Sequence, residues 1–190
     1  MTREERSLLE GIDKMLPAEE VRAQIQPVVE RVRAQLQRKT TTVMAWEPIP
    51  LSIYGDALPA MIRSSWVFIL RAGTNTGAER HPNSHQRMMS FEGSGDMQVG
   101  DDEQTSDVGS QRSEGAIRWQ SNVLVSDPDA RLERRWISIP ENVWHRPVVS
   151  KEADWVVVSF HTVPAEELIE ERPIDHAASR TKQMVYLDKR

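Results

Sequence analysis

The 190-residue chain contains no cysteine, so disulfides, thiolate nucleophiles and cysteine-based zinc sites are all excluded, and a reducing compartment suits it. It also lacks any run of about 18 or more apolar residues, which excludes a membrane-spanning helix. The N-terminus, MTREERSLLEGIDKML, mixes charges throughout and has no apolar run of the kind a secretory signal needs. A cytoplasmic protein with no membrane partner is expected. There is no excess of basic charge either: 24 Lys and Arg stand against 29 Asp and Glu, a formal net charge of -5. Although Arg131, Arg134 and Arg135 form a local cluster, no overall field gathers phosphate backbones, and nucleic acid is not an expected partner. What remains, 38% hydrophobic and 28% charged residues, is the composition of a globular domain with polar extensions. The length suits one domain plus an appendage.

Residues 1–38 lack β-rich runs. Leu8, Leu9, Ile12, Met15 and Leu16, then Val21, Ile25, Val28, Val29, Val32 and Leu36, recur at helical spacing and predict two helices, packed on the rest of the protein or on a second subunit. Pro17, followed by Ala-Glu-Glu, marks the start of the second helix, because a first-turn proline sacrifices no hydrogen bond and early acids suit the helix dipole. Pro27, further in, is expected to kink or break it. From residue 39 to 164 the texture is short β-rich runs between turn residues: 41–46, 65–71, 86–91, 96–99, 117–125, 133–139 and 155–162. That pattern predicts a mainly β fold, an antiparallel sandwich or barrel. Residues 100–115, GDDEQTSDVGSQRSEG, read as a solvated loop at its rim. From 165 to 190 the chain reads as a short helix, Ala165 to Glu171, stopped by Pro173 and followed by a polar tail.

Chemistry concentrates at the five histidines. His81 and His85 lie together in Glu79-Arg80-His81-Pro82-Asn83-Ser84-His85-Gln86, and His145 lies in the turn Pro140-Glu141-Asn142-Val143-Trp144-His145. Neutral imidazoles and carboxylates at strand ends far apart in sequence converge when a sheet folds over, which is what a metal site requires. His161 and His176 read as packed or solvent-facing residues.

These two segments resemble the motifs of the cupin superfamily. The first motif runs His-x-His, three or four residues, Glu, six residues, Gly, and the second runs Pro-x-Gly, two residues, His. Here Glu79 takes the first His place, His81 the second, Gln86 the Glu place, and Gly93 follows at the family spacing. Pro140, Asn142 and His145 occupy the second motif, Asn replacing Gly because it tolerates a left-handed backbone. Phe91-Glu92-Gly93-Ser94-Gly95-Asp96 is similar to the Leu-Glu-Gly turn of cupins. The resemblance spans about residues 62–162 and implies a cupin-type antiparallel β-barrel, or double-stranded β-helix jelly roll, behind N-terminal α-helices. By position it implies one divalent metal ion, iron, zinc, nickel or manganese, held by Glu79, His81, Gln86 and His145. His85 is the rival to Gln86. Imidazole is the better ligand for such metals, whereas strand alternation sends Gln86 inward with Met88 and Ser90 and His85 outward with Arg87 and Met89. Both stay candidates.

The resemblance further implies a metal-dependent enzyme acting on a small organic acid or sugar-like molecule. The reaction is that of a dioxygenase if the metal is iron, and an isomerase, decarboxylase or lyase reaction otherwise, with Glu92 a conceivable base. A non-enzymatic ligand-binding or sensor cupin is the alternative, and a homodimer is the expected assembly. Trp66, Phe68, Met88, Trp119, Trp136 and Trp155 are candidates for an apolar pocket wall, with Trp144 beside His145. Arg71, Arg118 and Arg146, near strand ends, are candidates to grip a substrate carboxylate.

Overall fold

The helical periodicity of the N-terminus becomes two helices in the computed structural model, which describes residues 1–100, 117–174 and 180–187. Helix α1 (Arg3–Met15) begins at Thr2, whose hydroxyl accepts from Glu5 N at 3.2 Å. Helix α2 (Glu19–Arg38) runs unbroken through Pro27, against expectation. The proline costs about 3 kcal/mol, but Ile25, Val28, Val29, Val32 and Leu36 are buried along one face, each contributing about 1.5–3 kcal/mol. Burial wins.

Those helices cover one face of a five-stranded antiparallel sheet. Its strands are β1 (Met44–Ile49), β2 (Ser64–Leu70), β3 (Gln86–Glu92), β7 (Trp136–Ile139) and β9 (Trp155–His161), in the order β1-β2-β9-β3-β7. A second sheet centres on β4 (Ser94–Gly100), with β5 (Trp119–Gln120) and β6 (Val123–Val125) on one side and β8 (His145–Val149) on the other. Bridges Asn75–Val148 and Glu79–His145 lay the segment 75–79 beside β8. The orders β2-β9-β3-β7 and (75–79)-β8-β4-β5/β6, read along the chain, alternate between the sheets as two Greek keys do, which is the jelly-roll arrangement. Among the described residues the ladders form two facing sheets rather than one closed barrel.

Strands β2 and β9 are buried at every position, because both sides of the sheet are covered. Val67, Ile69, Val158 and Phe160 face the helices, while Trp66, Phe68, Trp155 and Val157 face Met97, Leu124 and Val149 of the second sheet. Gly93, at φ 78° between β3 and β4, swings the chain from one sheet to the other; a Cβ there would lie 2.7 Å from the Asp154 carbonyl oxygen.

Two stretches depart from their expected form. Residues 133–139 were expected as one strand, but 132–135 form a single helical turn, α3 (Leu132–Arg135), before β7 begins. The helix expected from Ala165 to Glu171 is one 3-10 turn, Ala165–Glu167, followed by strand β10 (Ile169–Pro173), which pairs with β11 (Thr181–Val185). Its backbone is captured by Arg80, which exchanges two hydrogen bonds with Glu171, and tertiary pairing overrides the local pattern. Residues 101–115 of the expected loop, and His176, lie outside the described residues. No described helix is long and apolar enough to cross a membrane.

Candidate metal centre

The backbone places the cluster before the side chains define it. Glu79 and His145 exchange two backbone hydrogen bonds of 2.8 Å across the edge of the second sheet, and Asn142 N donates to the His81 carbonyl at 3.0 Å. Asn142 itself stands at φ 64°, the left-handed turn that delivers His145 to the start of β8. As a result one ligand-capable atom from each of Glu79, His81 and His145 lies within 4.8 Å of the others, and all three residues are buried.

Their protonation suits a cation. His81 Nδ1 lies 3.0 Å from the Ile169 carbonyl and His145 Nδ1 lies 3.0 Å from the Val143 carbonyl. A carbonyl only accepts, so each Nδ1 carries the proton and each Nε2 presents a lone pair. Burial, aided by the neighbouring charge of His145, pushes His81 down to about 4, so its ring is neutral near pH 7. Burial alone would raise Glu79, but His145, with Nε2 3.5 Å from Oε1, and Arg172 outweigh it and hold the carboxyl below its ordinary range.

Gln86 and His85 are separated by strand alternation. Gln86 is buried, lines the same cavity as Glu79, and its Oε1 has no hydrogen-bond partner; His145 Nε2 has none either. His85 points to the helix side, where its Nε2 lies 2.7 Å from Ser138 Oγ and 3.8 Å from Glu5 Oε1. The structure therefore brings Gln86 to Glu79, His81 and His145 and takes His85 away from them. His161 packs its ring 5.1 Å from that of His81, with Nδ1 3.2 Å from Ser84 Oγ and Nε2 3.2 Å from Ser159 Oγ. Both its nitrogens are occupied, consistent with a packed residue.

The hairpin β10–β11 supplies residues that sequence reasoning missed. Arg172 donates to Glu79 Oε2 at 2.7 Å and to the Thr76 carbonyl at 2.5 Å, and its Nε donates to Glu170. Glu79 thus has one oxygen held by arginine and the other turned toward His145. Glu170 is fully buried and accepts from the Tyr186 hydroxyl; burial first, and the nearby Glu79 charge second, push it up to about 8. Nothing in the local pattern Ile-Glu-Glu-Arg-Pro marks these residues, since the polar alternation reads equally as an exposed tail.

The expected pocket wall is partly corrected. Phe68 and Met88 line the cavity, and Trp66 and Trp155 pack in the core between the sheets. Trp136 instead faces the helices, donating to Asp13 at 2.7 Å, and Trp119 lies partly exposed beneath Arg146. Trp144 is stacked by Arg80, 4.6 Å from the ring centroid. Arg71 is spent on the carbonyls of Leu36 and Thr42, closing the end of α2, and Arg146 on Gln98. Glu92, the conceivable base, is turned to Arg33 of α2 because a bulge between Ser90 and Glu92 shifts the strand. Arg118 lies just before β5.

No family model matches the sequence, and no curated protein matches it. Among solved structures the chain is similar to an oxalate oxidase in complex with the substrate analogue glycolate, at 16% identity and TM-score 0.43, covering 64% of this chain and 53% of that one. It is similar to vicilin from hazelnut, Corylus avellana, at 12% identity and TM-score 0.46, covering 76% and 33%. It is similar also to Peruvianin-I, a cysteine peptidase from Thevetia peruviana latex, at 11% identity and TM-score 0.45, covering 65% and 63%. The chain spans less than two thirds of the length of each. Strand order and register, with two chain segments converging on one buried cluster, make the fold a cupin-type jelly roll with N-terminal helices.

Proposed function

We propose that the protein is a metal-dependent cupin enzyme that holds one divalent ion, iron, zinc, nickel or manganese, on Glu79, His81 and His145, with Gln86 as a weaker fourth donor, and acts on a small organic acid or sugar-like molecule. The observation that carries this reading is a pair of buried acceptors without partners, His145 Nε2 and Gln86 Oε1, beside an ionised Glu79. Leaving a buried polar group unpaired costs about 1–3 kcal/mol, and a cation among them removes that cost. Bound there, the ion would supply Lewis acidity toward substrate oxygens, in a dioxygenase if iron and in an isomerase, decarboxylase or lyase otherwise. The chain itself orients the two imidazoles through the Ile169 and Val143 carbonyls and steadies Glu79 through Arg172. A homodimer is the working unit in this reading, supported by the edge strand β1, which pairs on one side only among the described residues. Sedimentation measures it.

The second reading is a ligand-binding module without catalysis, favoured by the Arg172–Glu79 pair, which neutralises the carboxylate with no metal. Elemental analysis after reconstitution with each metal separates the two. About one ion per chain, lost in His81→Ala and His145→Ala, weakened in Gln86→Ala and retained in His85→Ala, is the expected result. No uptake by the wild type would sink the metalloenzyme reading and leave the binding module.

A further inference from the structure

Away from the ligand cluster the cavity wall is apolar. Met44, Phe68, Leu70, Met88 and Val157 from the five-stranded sheet face Met97 of the second sheet, while the polar groups Glu79 and Gln86 belong to the ligand cluster. Tyr186 also lines the cavity, but its hydroxyl is tied to Glu170. The space is about 310 Å³, part of it open to solvent, at the low end for a small-molecule site.

The arginines around this cavity are engaged elsewhere. Arg172 spends Nε, Nη1 and Nη2 on Glu170, the Thr76 carbonyl and Glu79. Arg146 lies 4.3 Å above the Trp119 ring with its Nε on Gln98, Arg71 closes α2, and Arg87 is paired with Glu5 on the opposite face of β3. None of these four lines the cavity. A charged group at the far end of a ligand would therefore be buried against thioether and aromatic surface without a counter-charge. A sugar fares no better, since each hydroxyl stripped of water and left unpaired costs about tenfold in affinity.

We infer that the site takes a monocarboxylic acid with an apolar chain. Its single carboxylate lies at the Glu79–His81–His145 end and its hydrocarbon chain lies along Met44, Met88 and Met97. Dicarboxylates and sugars are excluded by the wall. The inference rests on the metal reading for the carboxylate anchor, because Glu79 alone would repel an anion, and it narrows the substrate class of that site.

Three six-carbon probes test it on the zinc-reconstituted full chain: hexanoate, adipate, which differs by a second terminal carboxylate, and glucose. Methionine methyl NMR reads occupancy, with Met89 on the opposite face of β3 as an internal control. Hexanoate is expected to shift the methyls of Met44, Met88 and Met97 but not Met89, with at least about tenfold higher affinity than adipate or glucose. Adipate or glucose binding as tightly as hexanoate, or hexanoate leaving the three cavity methionines unmoved, overturns the inference. Zinc content measured on the same sample keeps the two proposals apart. Metal uptake with the wrong probe order removes only the substrate class, whereas the expected order without metal uptake removes only the metalloenzyme.

Discussion

Two polar interiors lie back to back on strand β3, and they are built on opposite principles. On the helix side, Arg87 makes a two-pronged contact with Glu5 at 2.7 and 2.9 Å, Ser138 donates to the same carboxylate at 2.7 Å, and His85 reaches Ser138. On the side facing the second sheet, one residue along, Gln86 shares the cavity with Glu79 but leaves its own Oε1 without a partner, as does His145 Nε2. The first cluster completes itself within the chain, apart from one Arg87 amino group, and fastens α1 to the sheet. The second is complete only with something added. Buried polar groups that serve structure find partners in the fold, and those kept short of partners mark where a ligand belongs.

The sharpest way to break the comparison is to leave the structural cluster incomplete. Glu5→Ala strands the buried Arg87 guanidinium, and we expect a loss of about 3 kcal/mol of stability in urea unfolding, with metal uptake unchanged. The same pair sets a pH dependence. Burial raises the Glu5 carboxyl, but hydrogen bonds from Arg87 and Ser138 and the Arg87 charge outweigh it, so its folded value lies below the ordinary 4.5. The stabilisation is therefore full above about 4.5 and is lost as pH falls through the lower folded value. Urea midpoints between pH 6 and 3 should drop in the wild type, and this part of the slope should be missing in Glu5→Gln.

A smaller effect is expected where the two kinds of cluster meet. Arg172→Met removes the counter-charge of two buried carboxylates, Glu79 and Glu170, and should cost about 2 kcal/mol. Zinc should restore part of it, so the rise in Tm on adding zinc should exceed that of the wild type; equal shifts would mean that Arg172 and the ion do not share Glu79. Smallest in stability is Gln86→Leu. Replacing an unpartnered amide by an apolar group of similar size should leave the metal-free protein within about 1 kcal/mol of the wild type, while metal affinity falls about tenfold. A large loss of stability would show that Gln86 is structural after all.

Much of this was legible in the residues themselves. The helical spacing of Leu9, Ile12, Ile25, Val28 and Val32, and the alternation of Gln86, Met88 and Ser90 against His85, Arg87 and Met89, follow from periods that a chain cannot escape once half of each element is buried. Asn142 was identifiable as a left-handed turn because few side chains tolerate that backbone. Glu92 was misread because a bulge inserts one residue and resets the alternation, which no local pattern announces. Pro27 was misread because its cost is local whereas the burial that outweighs it comes from a sheet far along the chain.

By itself, then, the sequence determined the element types, the inward face of β3 and the two turns carrying His81 and His145, since those depend on the preferences of neighbouring residues. Only the tertiary structure decided that β10 and β11 replace an expected helix, that Arg172 holds Glu79, and that the Ile169 carbonyl fixes the His81 ring. These contacts join residues about 90 positions apart, and their free energy exists only after both sheets and the hairpin have closed around one cavity.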